Sequence, residues 1–339
     1  MPIPAQERIL IVGPAWVGDM VMAQSLFMTL QSTHPKVEID VLAPGWSLPL
    51  LARMPEVNQA IEVPLGHGQF GFFQRLKIGW GLRNKHYTQA IILPRSFKSA
   101  LIPFFAGIPR RTGYRGEMRF GLINDIRRLD KKVLTQTVQR YVALGLRHNV
   151  AAAPHALYPK LEVNKRKQEE LLLKFKLSSD KPIICIMPGA EYGPAKQWPI
   201  EKYAKLAAIL ADKGMQVWII GSAKESVLGD KMSMERETSI YNLCGQTSLV
   251  EAVDLVAMAD YVVTNDSGLM HVACATGRNV IAIYGSSSPA YTPPLSKDAN
   301  VIYHALECSP CFKRVCPLGH TLCLEGITEN EVLECITHQ

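Results

Sequence analysis

The sequence predicts an α/β fold of two doubly wound domains, in which sheets of parallel strands are covered by helices. Short apolar runs typical of buried strands alternate with helical patterns through both halves of the chain. The alternation lapses between residues 150 and 180, and a length of 339 residues is sufficient for two domains of ordinary size. We therefore predict a first domain over residues 1–160, a second over 161–325, and a closing helix within 326–339 that packs back on the first domain.

In the first half, a strand is predicted at residues 8–13, because the apolar run there ends in a glycine, as in buried parallel strands. A helical pattern follows from about Asp19 to residue 32. Apolar runs of the same kind predict further strands at residues 37–42, 57–63 and 89–93, with helical stretches between them. Residues 110–113 are a candidate for another short strand before the basic segment. A further helix is predicted at residues 135–148.

In the second half, the strand–helix alternation restarts after a charged amphipathic helix at residues 165–176. Apolar runs predict strands at residues 182–187, 215–220, 261–264 and 279–284. Helical patterns between and after them are predicted at residues 200–213, 248–259, 268–275 and 328–336. Because ligands of such domains bind at the carboxyl ends of the strands, reactive residues are expected in the loops there.

One predicted strand–turn–helix unit carries three residues whose side chains cap helix N-termini, Asn265, Asp266 and Ser267. Gly268 allows a ligand to approach the backbone closely, and free N–H groups at a helix N-terminus bind phosphate. His271 lies four residues after Ser267 and shares its helix face. The unit therefore indicates either a phosphate site or an ordinary capped helix.

Two other loops at the ends of predicted strands hold charged candidates. Lys196 lies in the loop 188–199, whose glycines and prolines make it stiff enough to place a side chain. Asp19 lies near the start of the first helix, where it serves either as a catalytic carboxylate or as a helix cap. The small-residue loop 285–289 is expected to add backbone donors.

Basic residues concentrate between positions 94 and 132, where ten Lys and Arg accompany three Asp and Glu. This excess of seven equals the net charge of the whole chain, +7. Such a window is either a solvated face or a surface for an anionic partner, of which phosphorylated glycan and acidic lipid rank above nucleic acid. Aromatic residues are not interleaved here as in nucleic-acid-binding modules, so no nucleic-acid partner is predicted.

The phenylalanine-rich segments 70–73 and 103–105 are expected to pack in the core, as isolated aromatic residues usually do. Contact with a membrane surface is the alternative. The first eight residues do not resemble a secretory signal, and the apolar run 100–108 is too short to span a bilayer. We therefore expect a cytoplasmic protein that is soluble or peripheral at a membrane.

The eight cysteines fall into two groups. Cys185, Cys244 and Cys274 lie in apolar segments and are expected to be buried thiols. Cys308, Cys311, Cys316 and Cys323 are spaced C-x2-C-x4-C-x6-C near the C-terminus, which fits no standard zinc or ferredoxin pattern. Reduced or redox-labile thiols are the preferred interpretation of this cluster, and a bound metal is the alternative.

These motifs together resemble the lipopolysaccharide heptosyltransferases of glycosyltransferase family 9, which have the two-domain GT-B fold, and most of all the type II enzymes. The matching stretches cover nearly the whole chain between about residues 8 and 295. They are residues 13–20, 64–68, 96–100, 115–119, 188–199 and 264–271. Any one of these stretches is a weak signal, whereas the combination is specific.

The resemblance implies an inverting enzyme that transfers heptose from ADP-L-glycero-D-manno-heptose to the first heptose of the phosphorylated Kdo–lipid A core. The enzyme would be peripheral at the inner face of the inner membrane. Asp19 matches the family's general base, and Lys196 would stabilise the leaving diphosphate. The other donor-site residues implied are Gly189, Glu225, Thr247, Asp266, Ser267, Gly268 and His271. The basic window suggests Lys98, Arg115 and Arg119 for the anionic acceptor.

No cofactor is expected for the chemistry, because ADP is a stable leaving group and no D-x-D metal motif occurs in a loop. Three alternatives remain open on the sequence. The first is a heptosyltransferase of type I or another ADP-heptose-dependent transferase. The second is a nucleotide-sugar epimerase on the same fold, and the third is a non-catalytic glycolipid-binding protein.

Overall fold

The computed structural model describes residues 7–66, 68–146, 152–233 and 238–337. The chain divides into two compact units, Met1–Pro159 and Lys160–Gln339. Each unit has one parallel sheet between helices, so the predicted α/β fold of two doubly wound domains is confirmed. His67, in one of the six matching stretches, and residue 148, at the predicted end of a helix, lie outside the described residues.

The first unit is built on a six-stranded sheet. Its strands are β1 (Arg8–Val12), β2 (Glu38–Ala43), β3 (Val57–Glu62), β4 (Gln89–Ile92), β5 (Arg110–Tyr114) and β6 (Asp125–Arg127). They are ordered β3-β2-β1-β4-β5-β6, and each neighbouring pair is parallel. The order reverses between β1 and β4, and such a reversal opens a crevice for ligands at the carboxyl ends of these strands.

Helices cover both faces of this sheet. They are α1 (Val17–Thr33), α2 (Leu48–Leu51), α3 (Phe72–Gly81), α4 (Leu101–Phe105) and α5 (Thr137–Gly145). Helix α1 begins at Val17, two residues before the predicted start, so Asp19 lies within its first turn. Gly145 lies against α1, where a Cβ would come within 2.5 Å of the Leu26 Cδ1 atom. The absence of a side chain therefore allows α5 to approach α1 closely.

The second unit repeats the architecture of the first. Its strands are β7 (Ile183–Met187), β8 (Gln216–Ile219), β9 (Ile240–Asn242), β10 (Tyr261–Asn265), β11 (Asn279–Tyr284) and β12 (Ala299–Tyr303). They are ordered β12-β11-β10-β7-β8-β9, again with parallel neighbours. The strand order therefore reverses between β7 and β10.

The helices of the second unit cover its sheet on both faces. They are α6 (Lys165–Phe175), α7 (Ile200–Asp212), α8 (Ser226–Ser233), α9 (Leu249–Val256), α10 (Gly268–Ala275), α11 (Leu322–Glu325) and α12 (Glu329–Thr337). Val332 and Ile336 of α12 are buried in the cluster that contains residues of α7 and β12. These contacts of the closing helix are with the second unit, whereas the sequence led us to expect contacts with the first domain.

The strands of the second sheet are continuous apolar runs because both faces of the sheet are buried. Ile184 and Ile186 point into one core cluster, and Ile183, Cys185 and Met187 point into another on the opposite face. Because both faces are covered, neither set of alternating side chains reaches water. The three cysteines expected to be buried thiols are buried.

Two findings concern the apolar segments of the chain. Within the part of the chain that the structure describes, no helix is both long enough and apolar enough to cross a membrane. The expectation that the phenylalanine-rich segments pack in the core is wrong for four of their side chains. Phe70, Phe72, Phe73 and Phe104 are exposed.

Candidate active site

The switch point of the second unit brings together two stretches singled out in the sequence. The loop 188–199 follows β7, and Asp266 follows β10, which is the strand next to β7. The side chains of Lys196 and Asp266 meet there, 70 positions apart in the chain. Their juxtaposition results from the strand order and could not be derived from either motif alone.

The Lys196–Asp266 ion pair is the electrostatic centre of this site. The Lys196 Nζ atom donates to the Asp266 Oδ2 atom at 2.5 Å, and the two side chains are only 17% and 5% exposed. The Thr292 hydroxyl donates weakly to the same carboxylate, at 3.4 Å from Oδ1. The Lys196 Nζ atom also lies 5.2 Å from the centre of the Tyr192 ring. The carboxylate and the ring thus fix the direction of the ammonium group.

Asn265 fixes the loop that carries Lys196. Its Oδ1 atom accepts hydrogen bonds from the Trp198 backbone N–H at 2.9 Å and the Tyr203 hydroxyl at 3.0 Å. Its Nδ2 atom donates to the Pro188 carbonyl at 2.7 Å. The sequence suggested Asn265 as a helix-capping residue, and this is wrong. Asn265 ends β10, and its buried amide joins both ends of the loop 188–199.

Ser267 is the residue that caps α10, since its hydroxyl accepts from the Met270 N–H. Gly268 is the first residue of the helix. His271 follows in the same turn and is buried, with its Nδ1 atom unpaired among the described residues. Burial lowers the pKa of His271 to about 4, although the nearby Asp266 carboxylate opposes this shift. The imidazole is therefore neutral at physiological pH.

Glu225 lies beside Gly189 at the neighbouring strand ends. A Cβ on Gly189 would come within 2.8 Å of the Glu225 Cδ atom, so the glycine makes room for the carboxyl group. The Glu225 Oε2 atom accepts from the backbone N–H of Ser222 at 2.7 Å and from its hydroxyl at 2.6 Å. Thr247 is half-exposed and lies directly before Ser248, the N-cap residue of α9.

The small-residue loop after β11 holds two candidates that the sequence analysis missed. Ser286 and Ser287 are buried, and their hydroxyls have no partner within the described ranges. The Ser286 backbone N–H donates to the Ala195 carbonyl at 3.2 Å, which places this loop against the one that carries Lys196. Only backbone donors were expected from this loop. The signal available in the sequence was the run of three serines after a buried strand.

The segment 308–323, which carries the four clustered cysteines, packs against the loop that holds Lys196. The Ala195 N–H donates to the Arg314 carbonyl at 3.1 Å, and the Tyr192 hydroxyl donates to the Phe312 carbonyl at 2.8 Å. Gly193 is essential to this contact, because its φ of 152° is unfavourable for other residues and a Cβ would lie 2.5 Å from the Arg314 carbonyl oxygen. The segment therefore fixes the shape of the loop.

The four clustered cysteines line one small cavity together with His320. The pKa of Cys323 is raised, first by burial and then by the neighbouring cysteines. In the described ranges, no group of three or more His, Cys, Asp or Glu side chains is arranged to hold a metal ion. The interpretation of this cluster as a metal site therefore has no support from the structure.

The first unit carries its candidates at its own switch point. Asp19 lies in the first turn of α1, directly after β1, and its Oδ1 atom accepts a hydrogen bond from the Tyr141 hydroxyl at 3.0 Å. The N-cap residue of α1 is Trp16, so Asp19 does not occupy the N-cap position. Asp19 is half-buried, and the hydrogen bond from Tyr141 ties its carboxylate to α5.

A basic pocket with a volume of about 720 Å³ lies in the same unit, beyond the end of β4. Its charged lining consists of Arg95, Arg115, Arg128, Lys131 and Glu117. The four cations are exposed, so they remain solvated and accessible. The turn at Gly116 approaches the Arg95 backbone so closely that a Cβ would lie 2.2 Å from its carbonyl oxygen.

Lys98 and Arg119, the other residues expected to bind an acceptor, do not line this pocket. Arg119 is buried, and its guanidinium donates to the carbonyls of Pro94 at 2.8 Å and Tyr114 at 2.6 Å. Burial lowers the pKa of Arg119 to about 10. Lys98 is half-buried, and its Nζ atom donates to the Gln69 carbonyl at 3.3 Å. Arg119 thus supports the pocket wall from behind.

Comparison with known proteins identifies the family. The model of glycosyltransferase family 9 (heptosyltransferase) matches residues 75–322. The chain belongs to this family.

Among individual family 9 members, the chain is 49% identical to lipopolysaccharide heptosyltransferase 2 of Escherichia coli K12, over 96% of this chain and 97% of the relative. It is 50% identical to lipooligosaccharide heptosyltransferase 2 of Haemophilus influenzae, over 87% and 88%. The solved structure of E. coli ADP-heptose LPS heptosyltransferase II superposes with a TM-score of 0.86, at 46% identity and 98% coverage of both chains. This family 9 chain is therefore a transferase with the GT-B fold.

Proposed function

We propose that the protein transfers heptose from ADP-heptose to the first heptose of the lipopolysaccharide inner core. The observation that carries this proposal is the similarity, along nearly the full length, to relatives named heptosyltransferase 2. A type I transferase, an epimerase and a non-catalytic glycolipid-binding protein are not favoured by this similarity. The arrangement of charges in each unit supports a division between donor and acceptor sites.

The second unit is proposed to bind the ADP-heptose donor. An ammonium group has three N–H donors, and the bond to Asp266 uses one of those of Lys196. The other donors would stabilise the negative charge that grows on the diphosphate as the sugar leaves. The N-terminus of α10 at Gly268, the neutral His271 and the Ser286 hydroxyl would add donors that carry no full charge. Gly189, Glu225 and Thr247 are proposed to lie near the rest of ADP.

The first unit is proposed to supply the general base. A sugar hydroxyl is a poor nucleophile, so a carboxylate that accepts its proton accelerates the attack. Asp19 would take this proton while the hydroxyl oxygen forms a bond to the anomeric carbon of the heptose. The bond from that carbon to the diphosphate oxygen breaks at the same time, and ADP leaves with the electron pair. A single displacement of this kind inverts the anomeric centre.

The basic pocket is proposed to bind the carboxylate and phosphate groups of the Kdo–lipid A core. Its four exposed cations accompany a single carboxylate in the lining, so its field attracts anions. Arg115 is retained as a direct contact. For Arg119 we propose a supporting role because of its burial, and Lys98 is proposed to act at the edge of the pocket.

Since the acceptor carries a lipid, the protein is proposed to work as a peripheral protein at the inner face of the inner membrane. No metal or other cofactor is assigned to the chemistry. The proposed base and the proposed diphosphate ligands are groups of the chain itself. The clustered cysteines are not assigned a role in the reaction.

A transfer assay with defined acceptors tests the proposal. ADP-heptose would be incubated with core acceptors that carry no heptose, one heptose or two, and ADP release and product mass would be measured. We expect release with the one-heptose acceptor. Transfer to the acceptor without heptose would indicate the type I reaction instead. An isomerised sugar nucleotide in the absence of any acceptor would indicate an epimerase.

A further inference from the structure

The first unit exposes a group of large aromatic side chains around α3 and α4. They are Phe70, Phe72, Phe73, Trp80 and Phe104, which we call the aromatic surface. Phe73 is 80% exposed and Trp80 is 60% exposed. Scattered single hydrophobic residues on a surface need no explanation, but a contiguous group marks an interaction site.

The aromatic surface is contiguous because its phenylalanine rings touch one another. The Phe72 ring lies 6.3 Å from Phe70 and 5.6 Å from Phe73, measured between ring centres. The ring of Phe105 joins the two helices, at 5.5 Å from Phe72 and 5.7 Å from Phe104. The phenylalanine side chains therefore form one patch rather than independent exposed residues, and Trp80 lies further along the same helix as Phe72 and Phe73, α3.

The packing of α3 explains why these rings face outward. Gly79 lies against α4, where a Cβ would come within 2.7 Å of the Ile102 carbonyl oxygen. The close approach at Gly79 defines the face of α3 that contacts α4. Phe73 and Trp80 are seven residues apart, so they share a different face of the helix. This face is exposed, and its apolar area is available to a partner.

The stretch of chain that carries the aromatic surface is basic, and the carboxylate of Glu117, just after it, accepts from the Phe97 N–H. Residues 63–116 contain nine Lys and Arg residues and no Asp or Glu. The Arg83 guanidinium lies 4.2 Å from the Trp80 ring centre, and the Arg111 guanidinium lies 5.6 Å from that of Phe104. Exposed aromatic rings bordered by cations match the interface of an anionic membrane, where rings enter the headgroup region and cations meet phosphates.

The aromatic surface is continuous with the basic pocket. The Phe97 ring lies 6.4 Å from the Phe70 ring, and the preceding residues, Ser96 and Arg95, line the pocket. A membrane that contacts the aromatic surface would therefore hold the pocket beside the lipid headgroups. A lipid-anchored acceptor presents its sugar acids at that level.

We propose that the aromatic surface docks the protein on the surface of an anionic phospholipid bilayer, with Phe73 and Trp80 entering the interface. This inference rests on the proposed function in one respect, which is the reason given for the basic pocket lying beside the aromatic surface. Binding to the bilayer itself depends on the rings and on the cations around them.

Sedimentation with vesicles tests the docking directly. The full-length protein would be mixed with vesicles of phosphatidylethanolamine and phosphatidylglycerol, or of phosphatidylcholine alone. We expect binding to the anionic vesicles that weakens as salt is raised, and much weaker binding to phosphatidylcholine. The double variant Phe73→Ser, Trp80→Ser should bind the anionic vesicles at least about tenfold more weakly, because two rings no longer enter the interface.

The matched control is Leu173→Ser, which removes a side chain that is 82% exposed on α6 of the second unit. It should bind vesicles like the unchanged protein. Equal binding by the double variant, or equal loss in the control, would overturn the proposal. A third result would also overturn the proposal: the unchanged protein forms dimers and does not bind vesicles, whereas the double variant is monomeric. In that case a second copy of the chain covers the aromatic surface.

Two acceptor forms separate this inference from the proposed function. With a soluble one-heptose saccharide that lacks lipid, the double variant should transfer heptose as fast as the unchanged protein. With the same acceptor embedded in anionic vesicles, its rate should fall about tenfold at low acceptor density. If the unchanged protein uses neither acceptor, the proposed function fails, and the vesicle result alone decides the docking.

Discussion

The two units have the same strand order but carry opposite kinds of site at their switch points. In the second unit, Lys196, Asp266 and Asn265 are buried or nearly so, and each is fixed by a hydrogen bond or ion pair. In the first unit, the pocket cations such as Arg115 and Arg128 are exposed. This difference fits the proposed division, in which one unit is preorganised for the diphosphate of the donor and the other attracts a large, charged, solvated acceptor.

The largest effect is expected at the proposed base. Asp19→Asn keeps the shape of the side chain and the hydrogen bond from Tyr141 but removes the proton acceptor. We expect turnover to fall by about 10³-fold, within the range for loss of a general base. The affinity for ADP, measured by calorimetry, should remain unchanged because the proposed donor site belongs to the second unit. Turnover near the unchanged rate would exclude Asp19 as the base.

The next largest effect is expected at the ion pair of the second unit. Lys196→Ala removes the cation proposed for the diphosphate and leaves Asp266 without its main partner. We expect a loss of about 10²-fold in kcat/KM for the donor. The control is Lys224→Ala, because Lys224 forms an exposed ion pair with Glu191 at 2.7 Å. If Lys196→Ala and Lys224→Ala lose activity equally, the buried Lys196–Asp266 pair has no greater effect on donor use than an exposed ion pair.

A smaller effect is expected from the loop that carries Lys196. Gly193→Ala places a Cβ against the Arg314 carbonyl and forces an unfavourable backbone conformation. We expect a cost of about 1–3 kcal/mol in the free energy of unfolding and a rise in the donor KM. Thermal denaturation and steady-state kinetics measure the two quantities. Gly81→Ala is the control, because a Cβ there meets no atom within 4 Å.

Single substitutions in the basic pocket should change the acceptor KM only weakly. Arg115→Ala and Arg128→Ala should each raise the acceptor KM about two- to fivefold, since exposed cations are screened and solvated. The effect should shrink as salt is raised, and the donor KM should not change. Arg166→Ala, on α6 of the second unit, provides an exposed cation outside the pocket for comparison. A salt-independent loss would indicate that the pocket is not an electrostatic site.

The smallest effect is expected from titration of His271. Its pKa is lowered to about 4, so the imidazole stays neutral and contributes no step to the rate profile between pH 5 and 8. His271→Gln should therefore leave the shape of that profile unchanged, even if the rate falls. Stability behaves differently. Because the unfolded chain binds a proton near pH 6.5 and the folded one does not, stability should decline as pH falls from 6.5 towards 4.

The sequence alone determined the fold class and the positions of most long strands. Strands such as β7 and β10 are continuous apolar runs because helices cover both sides of the sheet. Such a run can be recognised from the sequence alone. The short strands β6, β9 and β12 were missed, because β6 and β9 have only three residues and the runs carry polar side chains. Their pairing with neighbours defines them more than their composition does.

The sequence also placed Asp19, Lys196 and Asp266 in loops and turns at strand ends, where doubly wound sheets bind ligands. It could not pair Lys196 with Asp266, because their distance depends on β7 lying beside β10. It also could not assign Asn265, whose amide serves as a clamp only once the loop 188–199 folds over it.

Only the tertiary structure decided which similar residues are buried and which are exposed. Arg115 and Arg119 occur in the same basic run, yet one lines a pocket and the other is buried behind it. Phe73 and Phe105 occur in similar phenylalanine-rich segments, yet Phe73 is exposed and Phe105 is half-buried between its neighbours. Composition sets the number of apolar and charged groups, whereas the packing of helices on a sheet decides which of them lose contact with water.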